Sequence, residues 1–245
     1  MIILSVGMPR AGSGWYYNLT NDLMLANGAQ DARQIRQRYH LQRILTEVNC
    51  NIGALTLRRL ALVAAPSIMG NTFVIKAHSA LTPFARGMIR IGLMRASYIY
   101  RDPRDAMLSI MENGQRALQR QQPNAFSPFA EFEAALHFMA AYLPIWESWA
   151  KQVSPQVLFV RYEDLLLRYD AEAMNLLNFL RLDSDQPHNQ RVVEKYRPEK
   201  AQPDQKGLHF SHGKIGRFRQ KMSPEQQATM ADQMGAYLAR MGYPI

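Results

Sequence analysis

The sequence predicts a three-layer α/β fold in which a central, mainly parallel sheet is flanked by helices, and three observations predict it. Four short β-rich runs stand out, at residues 2–7 (IILSVG), 72–77 (TFVIKA), 96–101 (ASYIYR) and 156–162 (QVLFVRY). Each is followed by a stretch of helical character, and alternation of strand with helix builds parallel sheets. The runs are close to continuously apolar, the pattern of strands covered on both faces. Length agrees with one unit: 245 residues with 47% hydrophobic content suit a single domain over 1–245 with a sizeable core. No linker, repeat or low-complexity run divides the chain.

Taken in order, the first run has no basic segment before it and is too short for a leader, so it reads as a buried strand. A glycine turn (GMPRAGSG, 7–14) leads into a helix over 14–27. Residues 31–65 form an insert expected to be helical. The second strand is followed by a helical stretch over 81–93 and the third by one over 103–118. A long helix over 129–150 carries Pro144 near its end, and the fourth strand runs into a helix over 163–182. No apolar stretch reaches the roughly 18 residues of a membrane span. The single cysteine, Cys50, leaves no partner for an intrachain disulfide, and no His/Cys cluster has zinc-ligand spacing, which points to a reducing, intracellular setting. A net charge of +9 points to anionic partners.

In folds of this kind ligands gather at the carboxyl ends of the strands. The turn from Pro9 to Gly14 lies at such an end and opens a helix, whose unpaired N–H groups and partial positive charge suit a phosphate. Gly12 and Gly14 allow close backbone approach, Arg10 offers a fork of donors and Ser13 a hydroxyl. Read alone, the segment is equally a connecting turn. It is not the nucleotide-kinase loop G-x-x-x-x-G-K-[ST], because Ser13 and Gly14 stand where Lys and Ser/Thr are required. At the end of the second strand Lys76 and His78 share a face by strand periodicity, a cation beside a potential base. The third ends with Arg101, and Ser109 lies two helical turns on. Arg104 and Asp105 read as ordinary charges of a first helical turn. The fourth ends with Tyr162, a ring able to face a base.

In this order the segments resemble the sulfotransferases that use 3′-phosphoadenosine 5′-phosphosulfate (PAPS), particularly the soluble, cytosolic type, which implies a P-loop-like form of the fold and a cytoplasmic protein. "MPRAGSGW", with Pro9, Gly12 and Trp15 matching, is similar to the family's 5′-phosphosulfate loop. "IKAH" resembles its Lys-x-His strand end, and "YRDPRDAMLS" its 3′-phosphate motif. "VLFVRYEDLL" resembles the segment whose tyrosine lies near the adenine. "FSHGKIGRFRQKMSPEQ" resembles the late loop R-K-G-x-x-G-x-W, with Gly213 and Gly216 at the glycines. There are departures: Arg10 stands in place of a lysine, Gly14 of a threonine, Ser211 and His212 of an Arg-Lys pair, and Phe218 of a tryptophan. Arginine is not a neutral exchange for lysine, and proton donation by Arg10 to the leaving phosphate is not expected.

The resemblance implies in-line transfer of a sulfuryl group from PAPS to a small-molecule acceptor alcohol, leaving adenosine 3′,5′-bisphosphate (PAP), with no metal and no nucleic-acid partner. His78 would take the acceptor proton with a resting pKa suited to pH 7. Lys76, Arg10 and the N–H groups of the loop Ala11, Gly12, Ser13, Gly14 and Trp15 would stabilise the developing charge. Arg101 and Ser109 would hold the 3′-phosphate, and Tyr162 would lie near the adenine. The late loop, Ser211, His212, Gly213 and Lys214 included, would fold over the nucleotide, with Lys214, Arg217 or Arg219 supplying charge. The acceptor pocket is expected from 31–65, 81–94 and 119–128. Two rival readings are an ATP- and magnesium-dependent kinase and a basic module that grips nucleic acid. The second lacks an interleaved aromatic stripe. Oligomeric state is not legible.

Overall fold

The structure, a computed structural model, describes residues 1–152, 154–200 and 214–245. In chain order its elements are β1 (Ile2–Gly7), α1 (Ser13–Ala26), α2 (Ala32–Arg38), α3 (Leu57–Ile68), β2 (Phe73–Ala77), α4 (Pro83–Arg90), β3 (Met94–Tyr100), α5 (Pro103–Gln119), α6 (Phe132–Ala150), β4 (Val157–Arg161), α7 (Tyr162–Leu167), α8 (Tyr169–Leu180), α9 (Pro187–Lys195), α10 (Phe218–Lys221) and α11 (Pro224–Met241). Among the described residues the sheet has four strands, all parallel, in the order β2-β1-β3-β4.

Strand periodicity divides the core in two. Ile2, Leu4 and Val6 of β1 join Phe73, Ile75 and Ala77 of β2 and Met94, Ala96 and Tyr98 of β3 on one face, packed with residues of α3, α4, α5, α6 and α11. Ile3, Val74 and Ile99 face the other way, against Trp15, Leu19 and Leu23 of α1 and Leu165, Leu176 and Leu177 of α7 and α8. Both faces are covered, so every residue of β1 and β2 is buried, Ser5 and Lys76 included. The helix after β1 and the helix after β3 therefore lie on opposite faces. The chain switches direction between these two neighbours, and in folds of this kind ligands gather outside the carboxyl ends at such a point.

Two expectations need correction. The insert is helical only at its ends, α2 and α3. Between them the Ile52 N–H donates to the Lys76 carbonyl at 2.9 Å and the Lys76 N–H to the Cys50 carbonyl at 3.2 Å, so this stretch satisfies the free edge of β2 instead of coiling. The helix expected after the fourth strand is two helices that meet at Arg168 (φ −129°, ψ 44°). The break lets Tyr169 turn inward and stack on Trp15, rings 6.0 Å apart and 12° from parallel. Helix α11 was not foreseen, although Ser223 and Gln226 form a reciprocal capping box with Pro224 in the first turn.

Candidate active site at the carboxyl edge of the sheet

The loop after β1 owes its shape to left-handed backbone. Arg10 (φ +62°) and Gly12 (φ +74°) both take the left-handed conformation, which turns the chain sharply into α1. No side chain caps that helix and no acidic residue lies in its first turn. By contrast, Asp102 caps α5 by accepting from the Arg104 N–H at 3.0 Å. Among the described residues, then, no side chain caps the positive end of α1. Gly12 is required twice over: its φ is costly for other residues, and a β-carbon there would meet Tyr162 Cδ2 at 2.7 Å. Gly12→Ala is expected to lower stability by about 1–3 kcal/mol, readable by chemical denaturation. An unchanged midpoint would mean that the loop relaxes freely.

Lys76 and His78 come together beside this loop. Lys76 is 5% exposed and, among the described residues, takes part in none of the ion pairs. Burial, with Arg10 adding repulsion, lowers its ammonium to about 8. His78, partly buried, places Nδ1 2.5 Å from the Gly7 carbonyl oxygen. A carbonyl only accepts, so Nδ1 carries the hydrogen and Nε2 keeps its lone pair. The expectation of a near-neutral resting pKa is corrected: burial and the Lys76 cation push the imidazole down to about 4, against the opposing effect of the Gly7 carbonyl. His78 is therefore neutral, and able to accept a proton, at any pH well above that value.

The ends of β1 and β3 share a second cluster. Arg101 lies just beyond β3, 7% exposed, its guanidinium 4.5 Å from the centre of the Tyr162 ring. Its Nη2 donates to the Lys214 carbonyl at 3.0 Å and lies 3.4 Å from Asp105 Oδ2. Its buried Nε has no partner among the described residues. Ser109 Oγ accepts from Arg10 Nε at 3.1 Å, which brings the first and third motifs into contact. Burial, followed by repulsion from Arg116 and Arg101, lowers the Arg10 guanidinium to about 10. Phe126, from the segment expected to wall the pocket, lies 5.7 Å from that guanidinium.

Two residues read as ordinary first-turn charges prove to be structural. Asp105, 1% exposed, accepts from the N–H groups of Gly216 at 2.7 Å and Phe218 at 3.0 Å, so it anchors the carboxyl-terminal part of the late-loop motif. Arg104 pairs with Asp102 at 2.8 Å and covers the Phe218 ring at 4.3 Å. Arg217 forms a two-pronged ion pair with Glu112 of α5, so in this arrangement its charge is already matched. Ser211, His212 and Gly213 lie outside the described residues.

Trp15 is buried, its indole N–H donating to the Tyr196 carbonyl at 2.9 Å. Tyr162 begins α7 and meets Trp15 edge-on at 6.5 Å. The structure thus gathers the loop 10–15, Lys76, His78, Arg101, Ser109 and Tyr162 along one edge of the sheet. Two contributors were missed. Glu163, 6% exposed, accepts from the Asp102 N–H at 3.1 Å and from the Tyr243 hydroxyl at 2.8 Å, holding the turn after β3. Tyr142 donates to the Gly7 carbonyl at 2.9 Å. The sequence marks Glu163 only as an acidic residue favouring a helix start, as it does at α7, and nothing local marks Tyr142.

Comparison with known proteins bears on the family and on the fold. The model of the sulfotransferase domain family matches residues 2–242. Among solved structures, retinol dehydratase in complex with androsterone and the inactive cofactor PAP is similar, with a TM-score of 0.62 and 19% identity over 97% of this chain and 80% of that one. A mouse sulfotransferase complexed with PAP gives a TM-score of 0.62 and 14% identity over 97% and 84%. A putative steroid sulphotransferase of Arabidopsis thaliana gives 0.51 and 15% over 100% and 78%. Such identities speak to the fold alone. No curated protein sequence matches the chain.

Proposed function

The chain belongs to the sulfotransferase family, and from that premise we propose that it moves a sulfuryl group from PAPS to an acceptor hydroxyl by in-line displacement, with His78 as the base. The bound donor supplies the activated sulfuryl group and leaves as PAP. The residues present fit such a donor: a helix start that no described side chain caps, glycine-lined backbone and a buried arginine donor without a partner among the described residues all suit a doubly phosphorylated ligand.

The observation that carries the reading is the orientation of His78. With Nδ1–H committed to the Gly7 carbonyl, Nε2 is the acceptor without a partner among the described residues, and Lys76 stands close to His78 and Arg10. His78 would take the acceptor proton at Nε2 as the hydroxyl attacks, and the Gly7 carbonyl would stabilise the resulting imidazolium. Lys76 and the first-turn N–H groups of α1 would offset negative charge on the transferring group and departing phosphate. Arg10, bonded to Ser109, is assigned to the junction between the 5′ and 3′ sides of the donor. Arg101 and Ser109 would bind the 3′-phosphate and Tyr162 would lie near the adenine, so that distant binding energy orients the reacting bond. Lys214, whose carbonyl accepts from Arg101, would lie beside the nucleotide.

An apolar alcohol is the acceptor class proposed, since Phe126, Phe129 and Phe138 pack on the same core cluster as the end of β1. A related fold has been solved with androsterone and with retinol. The step as proposed uses no metal, and the setting proposed is the cytoplasm. Incubation with radiolabelled PAPS and a panel of sterol, retinoid and simple alcohols should give a labelled ester and PAP, unaffected by a chelator. Its rate should decline on acidification, with a midpoint between about 4 and the ordinary histidine value of about 6.5. A rate that depends on ATP and magnesium would replace this reading with the kinase.

A further inference from the structure

Tyr142 lies in α6 with 6% of its surface exposed. Its hydroxyl donates to the Gly7 carbonyl oxygen at 2.9 Å, and that same oxygen accepts from His78 Nδ1 at 2.5 Å. A carbonyl oxygen has two lone pairs, and here two side chains occupy both. The carbonyl cannot easily move away, because Gly7 is packed so closely that a β-carbon would meet Ser13 Cβ at 2.5 Å and Ile99 Cγ2 at 2.9 Å. Helix α6 also grips the chain beyond the histidine: the Trp149 indole donates to the Ser79 carbonyl at 2.9 Å, and Ser148 Oγ accepts from the Leu81 N–H at 2.9 Å. One helix therefore holds His78 on both sides, and at Gly7 it touches the atom that faces the imidazole.

We propose that Tyr142 is a positioning residue that sets the basicity of His78 through the Gly7 carbonyl they share. The inference rests on the assignment of His78 as the base. When His78 gains a proton, its bond to the carbonyl becomes charge-assisted and strengthens with the electron density on that oxygen. A second donor draws on the same density, so the Tyr142 hydroxyl weakens the support for the imidazolium and favours the neutral base. Burial pushes the phenol far above its ordinary pKa, so it remains a donor over the working range. The other groups that bear on the pair are Lys76 from β2, Arg10 from the loop after β1, which acts on Lys76, and Tyr98 from β3, beside Tyr142. No carboxylate among the described residues acts on His78. Lys76 and Tyr142 thus push in the same direction, and removing the phenol hydroxyl alone should release part of that push.

The test is Tyr142→Phe, followed by an NMR pH titration with isotope-labelled histidine, His78 being assigned by its loss in His78→Ala. The His78 midpoint is expected to rise by about 0.5 to 1 unit. The acid limb of kcat/KM should move up with it, lowering the rate about 3- to 10-fold on that limb while leaving the alkaline plateau within about twofold. Trp149→Phe, which loses a bond to Ser79 and none to Gly7, should leave the midpoint in place. Replacing all tyrosines by 3-fluorotyrosine, a stronger donor, should move it down in the otherwise wild-type protein, a measurement that stands even if Tyr142→Phe does not fold. A midpoint that stays put or falls in folded Tyr142→Phe, or one that does not fall with fluorotyrosine, would overturn the proposal. The titration needs no turnover. A Tyr142-dependent midpoint in a protein that transfers no sulfuryl group would defeat the proposed function alone, and an active transferase with an unresponsive midpoint would defeat this inference alone.

Discussion

His78→Ala is expected to lose roughly two to four decades of turnover while binding PAP as the wild type does, because the substitution removes the proton acceptor and no phosphate ligand. The fold should survive. The Gly7 carbonyl keeps its bond from the Tyr142 hydroxyl, so no buried acceptor is left without a partner. The loss should appear in kcat more than in KM, since the proton moves only as the transition state is reached. Turnover near that of the wild type, with intact nucleotide binding, would remove His78 from the base position and direct attention to Lys76, whose lowered ammonium pKa of about 8 makes it the alternative within the same cluster.

Arg101→Ala is expected to act on recognition. PAP and AMP differ by the 3′-phosphate, and Arg101 offers a buried donor without a protein partner among the described residues. The wild type should prefer PAP strongly, and the variant should lose about 1.5–3 kcal/mol of that preference, the usual worth of a charged hydrogen bond. Asp105 loses a cation at 3.4 Å but keeps the N–H groups of Gly216 and Phe218, so the variant should fold with reduced stability. Calorimetry with both nucleotides reads the preference directly, and an unchanged ratio would contradict the assignment.

The site was legible to the extent that it depends on position along the chain. Strands with continuous apolar runs announce where they end, and the crevice outside those ends is a property of parallel sheets, so Arg10, Gly12, Lys76, His78, Arg101 and Tyr162 could be placed at one edge. Burial was not legible in the same way. Asp105 and Arg104 look like solvated charges until Gly216, Phe218 and Asp102 are seen against them. His78 was expected to titrate near neutrality because nothing local reveals how much water it loses or how close Lys76 stands. The contact of Gly12 with Tyr162 spans most of the chain, as does that of Gly7 with Tyr142. The fold itself was missed where packing overrides local pattern, in the middle of the insert and at Arg168. Helices α9 and α11 lie outside the strand–helix alternation that the sequence reading follows, although Ser223 and Gln226 form a capping box at the start of α11.

The central claim, a site built for a nucleotide with phosphates at both the 3′ and 5′ positions, is tested most directly by titrating the wild-type protein calorimetrically with PAP, AMP and ATP, each with magnesium and then with a chelator. The account predicts that PAP binds far more tightly than AMP, that ATP binds no better than AMP, and that the chelator changes neither order nor affinity. Tight ATP binding that the chelator abolishes, or equal affinity for PAP and AMP, would contradict it.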